Sequence, residues 1–189
     1  MNHRKLEEKT IDTKRIYEGR IINLRVDNVL LPNGHETVRE VVEHGGAACI
    51  VPITENDEVY MVRQFRYPFN EVMLEIPAGK MDPGEQRWDA ANRELEEEIG
   101  RRATELIYMG ELRPSVAYLT EVIHMYMARG LVETQQHLDA DEFLNVEKYP
   151  LDTLIEMVLE DQITDCKTMA ALLKAKLLLE RERKGKSLE

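Results

Sequence analysis

Between Gly79 and Gly100 the chain reads GKMDPGEQRWDAANRELEEEIG, a run that holds Glu85, Glu94, Glu96, Glu97 and Glu98. Like charges crowded this closely repel one another unless a cation answers them, so the run is suited to divalent metal. At about 100° per residue, Glu94, Glu97 and Glu98 share one helical face, and Glu96 points away. Three carboxylates side by side offer hard oxygen ligands, which suit magnesium or manganese better than zinc, and neither His nor Cys occurs in the run. Such an ion keeps water and recruits phosphate oxygens, so the chemistry implied is that of phosphates. A Glu-rich helix taken alone is more often a solvated face. Here an apolar stripe of Trp88, Ala91, Leu95 and Ile99 docks the helix on a core, and Arg93 stands beside Glu94 as an internal counter-charge.

The elements that must position these groups can be read outward from the helix. Asp82-Pro83-Gly84 is turn chemistry, the stretch from Glu85 to Ile99 lacks Gly and Pro, and Gly100 stands where a C-cap belongs. Trp88 is expected to be buried packing rather than a stacking platform. Residues 11–44 alternate apolar and polar around the Pro32-Asn33-Gly34 turn, which predicts strands joined by a hairpin. After Gly45-Gly46, strands are predicted over 47–53, 59–66 and 72–76, with a turn at Glu55-Asn56-Asp57. Further strands are predicted over 105–112 and 121–128, and helices over 151–159 and 168–183. Leu172, Leu173, Ala175, Leu177 and Leu178 form a core-facing or dimer-facing helix surface. His124, alternating along an apolar strand, reads as a core or pocket side chain, and His44 and His137 have no partner at metal spacing.

Gly79, five residues, Glu85, seven residues and then Arg93-Glu94-Leu95-Glu96-Glu97-Glu98-Ile99-Gly100 resembles the Nudix box, the signature of hydrolases that cleave a nucleoside diphosphate linked to another moiety. The resemblance implies an α/β Nudix fold, a mixed β-sheet sandwiched between helices. It also implies a divalent metal site, Mg2+ or Mn2+, at Glu94, Glu97 and Glu98 with the Ala78 carbonyl, supported by Glu85 and oriented by Arg93. Two or three ions there would bridge the diphosphate, neutralise its developing charge and acidify a water for in-line attack. Arg101 departs from the aliphatic residue the family prefers after Gly100, a matter of local packing.

A second resemblance spans nearly the whole chain. The early strands, Val62-Arg63-Gln64-Phe65-Arg66-Tyr67-Pro68, Leu74-Glu75-Ile76-Pro77-Ala78-Gly79 and Ile163-Thr164-Asp165-Cys166-Lys167-Thr168 are similar to the ADP-ribose pyrophosphatase group. That likeness implies an N-terminal antiparallel β-subdomain over 1–44, whose strands swap across a two-fold homodimer, and a hydrolase domain over 45–189. It implies a substrate pocket with Arg63, Arg66, Glu75, Arg39 and Ser115, arginine being suited to phosphate and to adenine stacking. The products from ADP-ribose would be AMP and ribose 5-phosphate. Two departures matter. The group's Ser-Pro-Gly is Ser115-Val116-Ala117 here, so this loop is expected to meet ligand differently. Its acidic loop reads Asp139-Ala140-Asp141-Glu142, with Ala140 at the usual base position, so Glu142 takes over, the helix glutamates serve, or activity is weak. The alternatives are a hydrolase of another nucleotide sugar or dinucleotide and a catalytically reduced module that senses a nucleotide.

Composition agrees. The 189 residues accommodate one such domain plus a small extra element, and 43% hydrophobic content supports a core. A formal charge of −11 excludes a general nucleic-acid binder, and any anionic substrate must be met by metal. Cys49 and Cys166 are too few for a disulfide framework, no apolar run approaches membrane-spanning length, and the charged N-terminus lacks a signal-peptide core, which together predict a cytoplasmic protein without membrane partners. Leu188-Glu189 reads as a cloning remnant.

Overall fold

The computed structural model describes residues 6–186; Leu188 and Glu189 lie outside them. Two compact units emerge. The first contains the described residues up to Gly46 together with Arg113–Val122, and the second contains Ala47–Leu112 and the described residues from Ile123 onward.

In the first unit, β1 (Lys9–Glu18), β2 (Ile22–Leu30) and β3 (Glu36–His44) form an antiparallel sheet in that order. The Pro32-Asn33-Gly34 turn closes the β2–β3 hairpin, with Asn33 Oδ1 accepting from the His35 N–H at 3.0 Å. The 113–122 segment is held to β3 by backbone bonds from Val42 N–H to the Tyr118 carbonyl at 2.7 Å and from Thr120 N–H to the Val42 carbonyl at 3.0 Å.

The second unit is built around a four-stranded sheet. Its members are β4 (Ala47–Pro52), β7 (Ala78–Lys80), β8 (Arg101–Leu112) and β9 (Ile123–Glu133), in the order β7-β4-β9-β8, with β4 and β9 parallel and the rest antiparallel. All of β4 is buried, as expected of a strand covered on both faces. Ala48 and Ile50 pack with Ala90, Ala91, Leu95 and Ile99 of α1 (Arg87–Ile99). Cys49 and Val51 pack toward α2 (Leu151–Leu159) and α3 (Cys166–Arg183). The mixed sheet is therefore sandwiched between helices, as expected. A second sheet, in the order β10-β5-β6, joins β5 (Glu58–Arg66), β6 (Glu71–Glu75) and β10 (Leu144–Pro150).

Several expectations need correction. The helix starts at Arg87, two residues later than expected, with Gln86 as its N-cap. Trp88 is 45% exposed: in the first turn of the helix, its indole meets the Tyr126 ring edge-on at 6.3 Å and is only partly covered. On α3, Leu172 and Ala175 are buried, whereas Leu177 is exposed. The strands β8 and β9 run well past the predicted limits, because their distal halves pair with each other rather than with the core.

Candidate active site

Two glycines let α1 lie close to its neighbours, one by its conformation and one by its lack of a side chain. Gly100 caps the helix at φ 60°, and a Cβ there would meet the Gln136 backbone nitrogen at 3.0 Å. The chain after β9 crosses this same end. Gln136 Nε2 donates to the Glu98 carbonyl at 2.5 Å and His137 N–H donates to the Glu97 carbonyl at 3.2 Å, satisfying carbonyls that a helix end leaves open. At the other contact, a Cβ on Gly79 would occupy the space of the Glu94 carboxylate. Only glycine lets β7 lie so close to that side chain.

The acidic face is organised by one cation. Arg93 donates to both Glu85 oxygens at 2.9 Å, to Glu94 at 2.7 Å and to Glu97 at 2.9 Å. Its guanidinium is held charged by these acids, above its ordinary range. The same pairing holds the Glu85 carboxyl below the usual carboxylate range. Glu94 and Glu98 behave oppositely. They are 7% and 2% exposed, and Glu98 accepts from the Ala78 N–H at 3.2 Å. Burial pushes Glu94 up to about 7 despite Arg93, with Glu97 and Glu142 adding to the rise. Burial, then Glu94 and Glu142, push Glu98 well above the ordinary value. Burial likewise raises Glu142, which is half-buried and near enough to both helix acids to repel them.

These groups fit hard cations. Four oxygen-bearing side chains converge, two are buried without enough positive charge, and the Gly79 backbone leaves room beside Glu94. With Arg93 drawing Glu94 and Glu97 and with Glu98 turned onto Ala78, no group of three or more His, Cys, Asp or Glu among the described residues has metal-binding geometry in this arrangement.

A second charged network lies across β5, β6 and the start of α3. Arg66 grips Glu75 with Nε at 2.6 Å and Nη2 at 2.7 Å. Lys167 Nζ donates to the same Glu75 carboxylate and to Asp165 at 2.9 Å. Glu75 is 1% exposed; burial alone would raise its pKa, but Arg66 and Lys167 together hold it below the ordinary carboxylate range. The Arg66 guanidinium is raised through this Glu75 bond, with Glu98 and Asp165 contributing at longer range.

The structure thus gathers Ala78, Glu85, Arg93, Glu94, Glu97, Glu98 and Glu142, puts Arg66 within electrostatic reach of Glu98 and Glu142, and ties Glu75 to them through Arg66 and Lys167. Arg63 is different. Three residues from Arg66 on a strand, it projects to the opposite face, where it forks onto Glu147 at 2.7 and 3.0 Å beside Tyr149. Arg39 and Ser115 belong to the first unit. There Arg39 forks onto Glu8 at 3.0 and 2.7 Å, and the Ser115 carbonyl accepts from Leu119 N–H at 3.2 Å. Arg101 stacks 5.4 Å from the Tyr60 ring, which answers the packing question it raised. His124 is half-buried, its Nδ1 hydrogen-bonded to Tyr108 OH at 3.1 Å. Sequence reading missed Lys167 as a member of the network and Gln136 and His137 as helix closures. Asp165 as an N-cap three residues before Thr168 was the available signal for Lys167.

Comparison with known proteins bears on the same regions. The NUDIX domain family matches residues 43–172, and the nucleoside diphosphate sugar hydrolase N-terminal domain family matches residues 8–42. The methanol dehydrogenase activator of Bacillus methanolicus is 40% identical over 88% of this chain and 91% of its own. The ADP-ribose pyrophosphatase of Bacillus subtilis (strain 168) is 38% identical over 88% of this chain and 91% of its own. A crystal structure of an ADP compounds hydrolase superposes with a TM-score of 0.83 at 23% identity, covering 94% of this chain and 97% of that one, which supports the fold. Nudix hydrolases generally use divalent metal ions, in keeping with the oxygen-rich cluster on α1. With its signature helix assembled and the family match spanning most of its length, the chain belongs to the Nudix family and is a Nudix hydrolase.

Proposed function

We propose that this hydrolase cleaves the diphosphate linkage of ADP-ribose or a related nucleoside diphosphate sugar, giving AMP and ribose 5-phosphate from ADP-ribose, with Mg2+ or Mn2+ as cofactor. The observation that carries the reading is the shared location of under-compensated carboxylates, Glu94 and Glu98, and an ion-paired arginine, Arg66, within reach of one another. A doubly charged diphosphate brought in with divalent cations suits both. The likeness to a Bacillus subtilis ADP-ribose pyrophosphatase supports this substrate class.

Glu94, Glu97, Glu98 and the Ala78 carbonyl would hold the metal, and Glu85 would keep Arg93 aligned with them. When bound, divalent ions supply charge neutralisation at the diphosphate and a more acidic water. Glu142, which burial makes a stronger base than an ordinary carboxylate, is suited to take a proton from the attacking water. Arg66 would meet the diphosphate through the guanidinium edge that Glu75 does not use, a planar fork matched to phosphate oxygens. Arg63, Arg39 and Ser115 remain candidate contacts, engaged only where a ligand or a second copy of the chain draws them from their present partners. The protein acts as a homodimer through its N-terminal sheet, a reading supported by the exposure of all ten residues of β1, Ile11, Ile16 and Tyr17 among them. A cytoplasmic compartment suits a chain whose two cysteines, Cys49 and Cys166, are both thiols; separately, no helix of the described residues is long and apolar enough to cross a membrane.

The test is incubation of purified protein with Mg2+ and a panel of ADP-ribose, nucleotide sugars, dinucleotides and nucleoside triphosphates, with phosphomonoester release as readout. AMP and ribose 5-phosphate from ADP-ribose is the expected result. Preference for a dinucleotide would move the substrate, and tight binding without turnover would replace the hydrolase reading with a sensor.

A further inference from the structure

We propose that Lys167 is a positioning residue of the pocket: its ammonium, shared by Asp165 and Glu75, fixes the Glu75 carboxylate and thereby holds the Arg66 fork toward the diphosphate. This deepens the functional reading above and rests on its assignment of Arg66 to substrate.

A lysine in the first turn of α3 is in an unfavourable place. The helix N-terminus carries partial positive charge, and the Lys167 side chain is only 13% exposed. Burial of an ammonium there needs compensation, and Asp165 and Glu75 supply it. The chain of charge then alternates, Asp165, Lys167, Glu75, Arg66, and balances to zero. Remove Lys167 and Glu75 keeps only one partner for a nearly inaccessible carboxylate that now has two.

Attachment of α3 does not depend on this lysine. Asp165 Oδ2 accepts from Thr168 N–H at 3.0 Å and from Thr168 Oγ1 at 2.6 Å, and that hydroxyl oxygen accepts from Ile76 N–H at 3.1 Å. The helix is thus stapled to the residue after Glu75 by its own cap. What Lys167 adds is a second grip on the carboxylate that Arg66 forks onto. A guanidinium held at both Nε and Nη2 has little freedom to swing, which lowers the entropy lost when its remaining edge binds an anion.

Steady-state kinetics with ADP-ribose and Mg2+ on Lys167→Met, Arg66→Met and the double variant test this. Wild type and Arg66→Met come first: absent turnover, or an unchanged KM in Arg66→Met, sinks the pocket reading and this proposal together. With Arg66→Met behaving as expected, Lys167→Met should raise KM about tenfold with kcat within about threefold. In the Arg66→Met background the same change should add less than about twofold, because its effect passes through Arg66. A KM unchanged in Lys167→Met, a loss confined to kcat, or an equal KM rise in both backgrounds overturns the proposal and leaves the pocket reading standing. Should Lys167→Met not fold, Lys167→Gln, which keeps a donor between the two carboxylates and removes the charge, carries the same expectations.

Discussion

Two acidic groups of this hydrolase are buried to a similar depth and reach opposite electrostatic states. Glu75 sits between Arg66 and Lys167 and is held below the ordinary carboxylate range; Glu94 shares Arg93 with Glu85 and Glu97, Glu98 has only the Ala78 N–H, and both are pushed above it. Burial is therefore not what distinguishes them. The count of cations within hydrogen-bond reach is. One network carries its own positive charge and is complete as folded, whereas the other is short of it.

Removing the deficit should cost the most activity. Glu98→Gln is expected to lower kcat by roughly 10³-fold, while the metal-free melting temperature holds or rises, because a repelled carboxyl has been neutralised; turnover surviving in this variant would contradict the site. Glu142→Gln is expected to cost about 10²-fold in kcat with little change in melting temperature. Full turnover there would move the base to the helix glutamates. Gly79→Ala touches no charge, yet its methyl would claim the space of the Glu94 carboxylate, so a metal titration should show about 10- to 100-fold weaker activation by Mg2+.

The smallest effect is on stability against pH, and it tests the contrast most directly. A carboxyl raised in the folded state favours folding below its ordinary value of 4.5, and that contribution is lost as pH climbs through the folded value, about 7 for Glu94. Glu75, held low, does the reverse: its contribution is present above 4.5 and is lost on acidification. Metal-free protein melted between pH 5 and pH 8 should therefore lose stability toward pH 8, and Glu94→Gln should flatten that slope. Saturating Mg2+ should raise the melting temperature by about 5 °C or more, with the larger gain at pH 8. An identical slope in Glu94→Gln would show that the two regions do not differ as described.

Much of this was legible before any coordinates. The 3.6-residue period gave α1 and its three-carboxylate face, and α2 falls on the predicted limits, because local spacing decides those features. The short strand β7 was not legible, since three residues containing a glycine carry no period; its existence depends on pairing with β4. Nor was β10 read, as its alternation lies behind an acidic loop and only pairing with β5 makes it a strand. The helical wheel gave the direction of Trp88 but not the depth of cover near a helix start. Arg63 and Arg66 could have been separated by the two-residue period of a strand. Of the Lys167 network only the local Asp165 cap could be read; its link to Glu75, 92 positions away, is made by the docking of α3.

The closure of α1 by Gln136 and His137 has a practical corollary for anyone recombining this scaffold. The helix and the stretch leading to Glu142 would have to be transplanted as one cassette, despite the intervening positions 100–135, which hold β8, β9 and the 113–122 segment. A chimera that imported the signature segment alone would inherit the carboxylates without the strap that seats the carbonyl end of their helix. Grafts that move both together keep the geometry, and those that split them supply a ready series of misaligned enzymes.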